Sequence, residues 1–205
     1  MKLYTSRLAP NPRRVLWFLA EKGIADLEIV EIDLLAGTQK SPAYLAEVGL
    51  PVCPALILDD GAALTESLAI CRYLEALYPE PSLFGNDAKG AALIEMWTRR
   101  AELMVAHPLM LGVRHGHPAL AALETQIPAI SETSLAQARR ALTVFERRLG
   151  DSEFIADDRP TMADGVLFTG LEFARMVRFK IDETTPNLLR WQGELRARPS
   201  AQAGA

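Results

Sequence analysis

Four groups of residues carry side chains able to bind or react. Glu66 and Ser67 precede Leu68, Ile70, Cys71, Tyr73 and Leu74, a run with helical spacing, so a hydroxyl and an acid stand at a helix start. Asn11, between Pro10 and Pro12, reads as the N-cap of an earlier helix whose first residue is Pro12. Cys53 and Cys71 are the only cysteines, too few and too far apart for a disulfide framework or a C-x-x-C site, and read as reduced thiols. His107, His115 and His117 lie close together around Pro108 and Gly116, but their spacings do not set two ligands on one helical turn. No cysteine or acidic partner accompanies them, so no metal is expected.

These groups need elements to hold them. Lys2 to Ser6 is short and rich in strand formers. From Arg13 to Lys22 the apolar residues Val15, Leu16, Leu19 and Ala20 recur at helical spacing with Phe18 on the margin, and Gly23 closes the helix. Leu27 to Leu34 alternates as a second strand. Pro54 to Leu58 is a buried strand that runs into an Asp59-Asp60-Gly61 hairpin, with Ala63-Leu64 opening its partner. The order β-α-β then β-β-α predicts a small α/β domain with a mixed sheet. Pro79 and Pro81 punctuate the chain after it. Beyond Asp87 helical periodicity dominates as far as Pro199, with Ala88 to His107 the longest candidate and Leu135 to Leu149 another. Thr161-Met162-Ala163-Asp164 has the form of a capping box with Asp in the fourth place, a structural device that holds the loop before a buried helix.

A length of 205 residues allows one or two domains, and 49% apolar with 23% charged residues excludes disorder, collagen and coiled-coil rods. A net charge of −4 gives no electrostatic reason to bind nucleic acid or an anionic membrane. Stretches without charge, such as Leu103 to Val113, fall well short of the ~18–20 residues that cross a bilayer. The N-terminus lacks the apolar core of a secretory signal, so a cytoplasmic location is expected. The charge is unevenly shared: residues 1–80 hold 7 basic and 11 acidic residues, whereas 81–205 hold 15 of each.

Three segments carry a resemblance. Pro54 to Gly61 with Leu64-Thr65-Glu66-Ser67 and Ile70 to Glu75 resembles the glutathione-binding segment of cytosolic glutathione S-transferases. Pro10-Asn11-Pro12-Arg13-Arg14-Val15 with Phe18 to Gly23 is similar to their first helix. Phe154-Ile155-Ala156 with Thr161 to Asp164 is similar to the capping segment of their helical domain. The resemblance spans nearly the whole chain and implies a thioredoxin-like glutathione-binding domain over 1–80, followed by an all-α domain over 87–205 that contributes a hydrophobic substrate site.

It also implies roles. Ser67 and the helix start behind it would hold the γ-glutamyl carboxylate, and Glu66 would accept from the neighbouring amine. The Cys53–Pro54 bond would be cis, as in relatives, and the Val52-Cys53-Pro54 backbone would pair with the cysteinyl part. Pairing through backbone needs no particular side chain, so Cys53 reads as a small apolar filler. Gln39 and Lys40 would meet the glycine carboxylate. Thiolate stabilisation is where the chain departs from its relatives: the slot that holds serine or cysteine in some of them is Ala9 here. That leaves Asn11 and Ser6, with Thr5 a third option, and each has a plain reading as a cap or turn residue. Trp97, Arg100, Met104 and His107 are candidates for lining the substrate cleft, against core packing for Met104 and a solvated face for Arg100.

The expectation is a glutathione transferase that directs the thiolate of glutathione, its co-substrate, at a hydrophobic electrophile in a detoxification role. It would be a homodimer without metal, nucleic-acid or membrane partners. The alternatives are a glutathione-dependent isomerase, reductase or peroxidase on the same fold, or a non-catalytic glutathione-binding protein.

Overall fold

The computed structural model describes residues 1–7 and 9–204 and divides them into two compact units, Met1–Pro81 with residues 199–204, and Ser82–Arg198. In the first unit strand β1 (Lys2–Thr5) leads to helix α1 (Pro10–Lys22) and back to β2 (Glu28–Glu31). A 3₁₀ turn (Thr38–Lys40) and helix α2 (Pro42–Val48) follow, then β3 (Ala55–Ile57), β4 (Ala63–Thr65) and α3 (Ser67–Leu77). The sheet order is β2-β1-β3-β4, with β1 parallel to β2 and the other pairings antiparallel. This is the mixed four-stranded sheet the sequence predicts.

Local chemistry accounts for the differences. Helix α1 starts two residues before Pro12, at Pro10, whose fixed φ suits the first helical position, and Ala9 is the extended residue before it. Asn11 is therefore the second helical residue and caps nothing. The buried stripe of α1 runs through Arg14, Val15, Phe18 and Lys22, while Ala20 faces water. Phe18, expected at the margin, lies at the centre of the stripe because an aromatic ring gains more from burial than Ala20 does. Helix α2 was not expected from the sequence. Its start is nevertheless written locally, as Ser41 Oγ accepts from the Tyr44 N–H at 3.3 Å and Pro42 occupies the first turn.

Lys22 closes the unit. Its side chain is fully buried, and Nζ reaches Glu75 at 2.7 Å and the carbonyls of Pro79 and Pro81 at 3.3 and 2.7 Å, 5.5 Å above the Phe18 ring. The 3₁₀ turn Pro199–Gln202 packs on α1, where Arg13 donates to the Ala201 carbonyl at 3.0 Å and Ser200 to the Glu21 carboxylate.

The second unit holds α4 (Ala88–Arg100), a π-helical segment (Ala101–Ala106), α5 (His107–Gly116), α6 (Pro128–Gly150), α7 (Met162–Ala174) and α8 (Pro186–Ala197). The helix expected to run unbroken from Ala88 to His107 is thus interrupted. Pro108 has no N–H to return to the preceding turn and its ring crowds that turn, so the backbone widens to π geometry ahead of it. Helix α7 is buried from Met162 through Leu171, as a central helix must be. A Cβ on Gly170 would lie 3.0 Å from the Ala106 Cβ, so α7 and the π segment approach closely here and a side chain would require one of them to shift. No helix among the described residues is long and apolar enough to cross a membrane.

Candidate functional site

Ser67 is the first residue of α3, and the residue before it, Glu66, has φ 65° and ψ 112°, a left-handed conformation that L side chains adopt at a cost. No side chain caps this helix start. Ser67 Oγ accepts a 2.8 Å hydrogen bond from Nη1 of Arg14, a side chain on α1 that is only 2% exposed. With an acceptor lone pair occupied by a guanidinium, the hydroxyl proton is left to donate to another group, backed by a buried positive charge. That is the local equipment for a carboxylate.

The segment before β3 is held from the other side. Tyr44 on α2 donates its hydroxyl to the Val52 carbonyl at 2.5 Å. The Cys53–Pro54 peptide is cis. The Cys53 thiol sits 3.8 Å from the Tyr4 carbonyl, and burial pushes its pKa up to about 12, so it stays protonated and unreactive at neutral pH. Cys71 is wholly buried and burial pushes its thiol up as well.

Gln39 and Lys40 differ more than their adjacency suggests. Lys40 is exposed, whereas Gln39 is 6% exposed and donates Nε2 to the Leu34 carbonyl at 3.3 Å. Its Oε1 is buried with no hydrogen-bond partner among the described residues.

At the entrance of α1, a helix normally leaves several N–H groups unpaired. Here Pro10 and Pro12 remove two of them, which leaves the Asn11 N–H, beside its half-buried side-chain amide, as the donor of the first two helical positions. Ser6 is buried and lines a hollow with Arg7, Glu31 to Leu34 and Leu35. Thr5 is buried too, its hydroxyl without a hydrogen-bond partner among the described residues.

The chain as a whole has relatives. Residues 3–82 match the glutathione S-transferase N-terminal domain model and residues 107–199 the C-terminal domain model. Glutathione S-transferase 2 of Saccharomyces cerevisiae is 32% identical over 206 residues, covering 98% of this chain and 88% of that protein. The chain belongs to the glutathione S-transferase family. Glutathione S-transferase 3 of Zea mays is likewise 32% identical, over 219 residues, 98% of this chain and 91% of the relative. Among solved structures, a glutathione S-transferase domain-containing protein of Marinobacter aquaeolei superposes with a TM-score of 0.91 at 33% identity, covering 98% of this chain and 99% of that one. Gtt2 of Saccharomyces cerevisiae superposes with a TM-score of 0.91 at 31% identity over the whole of both chains.

In this glutathione S-transferase the helical-unit candidates do not form one face. Trp97 meets the Phe145 ring edge-on at 5.7 Å, and the guanidinium groups of Arg100 and Arg148 lie 4.7 and 5.9 Å from its ring centre. Trp97 and Arg100 are therefore brought together as a stack. Met104 is half-buried inside the π segment, and His107 is exposed at the start of α5. A π turn advances fewer degrees per residue than an α turn, so His107 is rotated off the face it would share with Trp97 in an unbroken helix. The other histidines are occupied: His115 Nδ1 accepts from the Ile127 N–H at 3.2 Å and His117 Nδ1 from the Ala119 N–H at 3.3 Å. Among the described residues no group of three or more His, Cys, Asp or Glu side chains is arranged to hold a metal.

Two polar side chains escaped the sequence reading. Arg14 left one faint signal, a charge four residues before Phe18 and eight before Lys22, on the buried stripe of α1. Tyr44 left none, because α2 itself was not expected.

Proposed function

We propose that this glutathione S-transferase binds reduced glutathione in its first unit and directs the thiolate at a hydrophobic electrophilic small molecule. The observation that carries the reading is the Ser67 hydroxyl, backed by the buried Arg14 at an uncapped helix start. In this reading Ser67 holds the γ-glutamyl carboxylate and Glu66 accepts from the amine. The Val52-Cys53-Pro54 backbone pairs with the cysteinyl residue. The glycine carboxylate falls to Lys40, whose side chain is exposed, while Gln39 is buried and donates to the Leu34 carbonyl. Asn11 is the thiolate stabiliser, because the flanking prolines concentrate the donors of the α1 start on this residue. Ser6 is the second candidate. Trp97 and Arg100 are the side chains assigned to the electrophile, with Met104 and His107 at its edge. The working assembly is a homodimer in the cytoplasm, in keeping with the family.

Asn11→Ala tests the chemical step. Turnover of a halodinitrobenzene with glutathione should fall by about 10-fold, the scale of a lost charge-assisted hydrogen bond, and the pH at which the bound thiol ionises should rise. Loss of thermal stability alone would make Asn11 a structural residue. Ala9, which offers no hydrogen-bonding side chain at the helix entrance, favours a second reading as a glutathione-binding protein without turnover. Calorimetric binding of glutathione with no rate above background for conjugation, isomerisation, thiol exchange or peroxide reduction would select it.

A further inference from the structure

The Val52–Cys53 peptide is held by a side chain from helix α2, Tyr44. Tyr44 is 4% exposed and sits in the core cluster with Ile32, Val48, Ala55 and Ile57, its ring 4.9 Å from that of Tyr4. Three residues on along the same helix, Glu47 accepts from the Tyr4 hydroxyl at 2.5 Å and pairs with Lys2 at 2.5 Å. Helix α2 is thus fastened to β1 by Glu47 through two contacts, of which the Lys2 ion pair does not depend on the Tyr4 hydroxyl. The hydroxyl donates to the Val52 carbonyl at 2.5 Å.

That carbonyl and the Cys53 N–H are opposite ends of one planar peptide unit. Holding the carbonyl inward on Tyr44 turns the N–H of Cys53 the other way. Residue 54, a proline, has no N–H, so Cys53 supplies the one donor of this dipeptide. We propose that Tyr44 is a positioning residue for glutathione: by anchoring the Val52 carbonyl it orients the Cys53 N–H that pairs with the cysteinyl backbone of the ligand. The inference rests on the glutathione reading above and adds to it a residue on α2.

Tyr44→Phe tests it, since it keeps the ring in the core and removes only the hydroxyl. The expected result is a 5- to 20-fold rise in the glutathione KM and in the calorimetric Kd, with kcat at saturating glutathione within twofold of the parent, the signature of lost uniform binding. Tyr4→Phe is the control. It removes a hydroxyl from the same cluster that does not touch Val52, and it should lower thermal stability and leave KM unchanged. A purely structural role for Tyr44 would make the two variants alike. Tyr44→Met, which also lacks the hydroxyl, replaces the Phe variant should that one not fold. An unchanged KM in the folded variant overturns the inference, and Ser67→Ala in the same assay says how far the failure reaches. If Ser67→Ala raises KM, only the positioning role falls; if it does not, the glutathione site falls with it.

Discussion

Two helix starts in this molecule are built in opposite ways. At the start of α7 every buried polar valence is matched from within: the Asp164 carboxylate, wholly buried, accepts from the Thr161 N–H and hydroxyl at 2.9 and 2.8 Å, the Ile155 N–H at 3.0 Å and the Trp191 indole at 2.8 Å. Burial pushes its pKa up and these four donors hold the rise back. At the start of α3 no side chain caps the helix, Glu66 is held at positive φ, and the Ser67 oxygen accepts a hydrogen bond from Arg14. A closed start serves the fold. An open one, kept at a conformational cost, is where the proposed glutathione carboxylate would bind.

Substitutions should separate the two. The largest effect belongs to Asp164→Ala, which strands four buried donors and should lower unfolding stability by about 3–5 kcal/mol in denaturant titrations. The glutathione KM of the surviving folded protein should not change. A small stability loss would mean that water or repacking satisfies the donors and that the start of α7 is less closed than it looks. Ser67→Ala should do the reverse: a KM for glutathione about 10-fold higher, with a stability loss of about 1.5–3 kcal/mol from the lost Arg14 hydrogen bond, below that of Asp164→Ala. A Tm drop matching that of Asp164→Ala would show that Ser67 is also structural. The smallest effect is that of Glu66→Gly, which relieves the positive φ. Stability should rise by about 1 kcal/mol, while KM rises because the acceptor for the amine is gone. A gain in stability with no change in KM would leave the strain at Glu66 without a ligand to explain it.

The two starts also differ in how far the sequence discloses them. The Thr161–Asp164 box is legible because its central contacts span four residues, and the helix after Ser67 because its apolar spacing is plain. What completes each is remote: Trp191 lies 27 residues from Asp164, and Arg14 lies 53 from Ser67. Such pairs follow from which helix faces meet, which no local pattern encodes. The mixed sheet and the change to helices after it follow from element order. Helix α2 is too short for periodicity to register, and with it Tyr44 and its hold on Val52 went unseen. The π segment has its cause in view, Pro108, yet the distortion falls on the turn before it. Of the cleft candidates, Trp97 and Arg100 precede that segment, Met104 lies in it and His107 follows it.

The burial of Lys22 has a practical side. The chain has five lysines, of which Lys40, Lys89 and Lys180 are exposed and Lys2 is partly so, while the Lys22 amine is enclosed by Glu75 and the carbonyls of Pro79 and Pro81. An amine-directed reagent will therefore label the surface lysines of the native protein and pass over this one. Appearance of label at Lys22, followed by mass spectrometry, is then a site-resolved clock for the opening of the first unit, and it runs without any engineered probe.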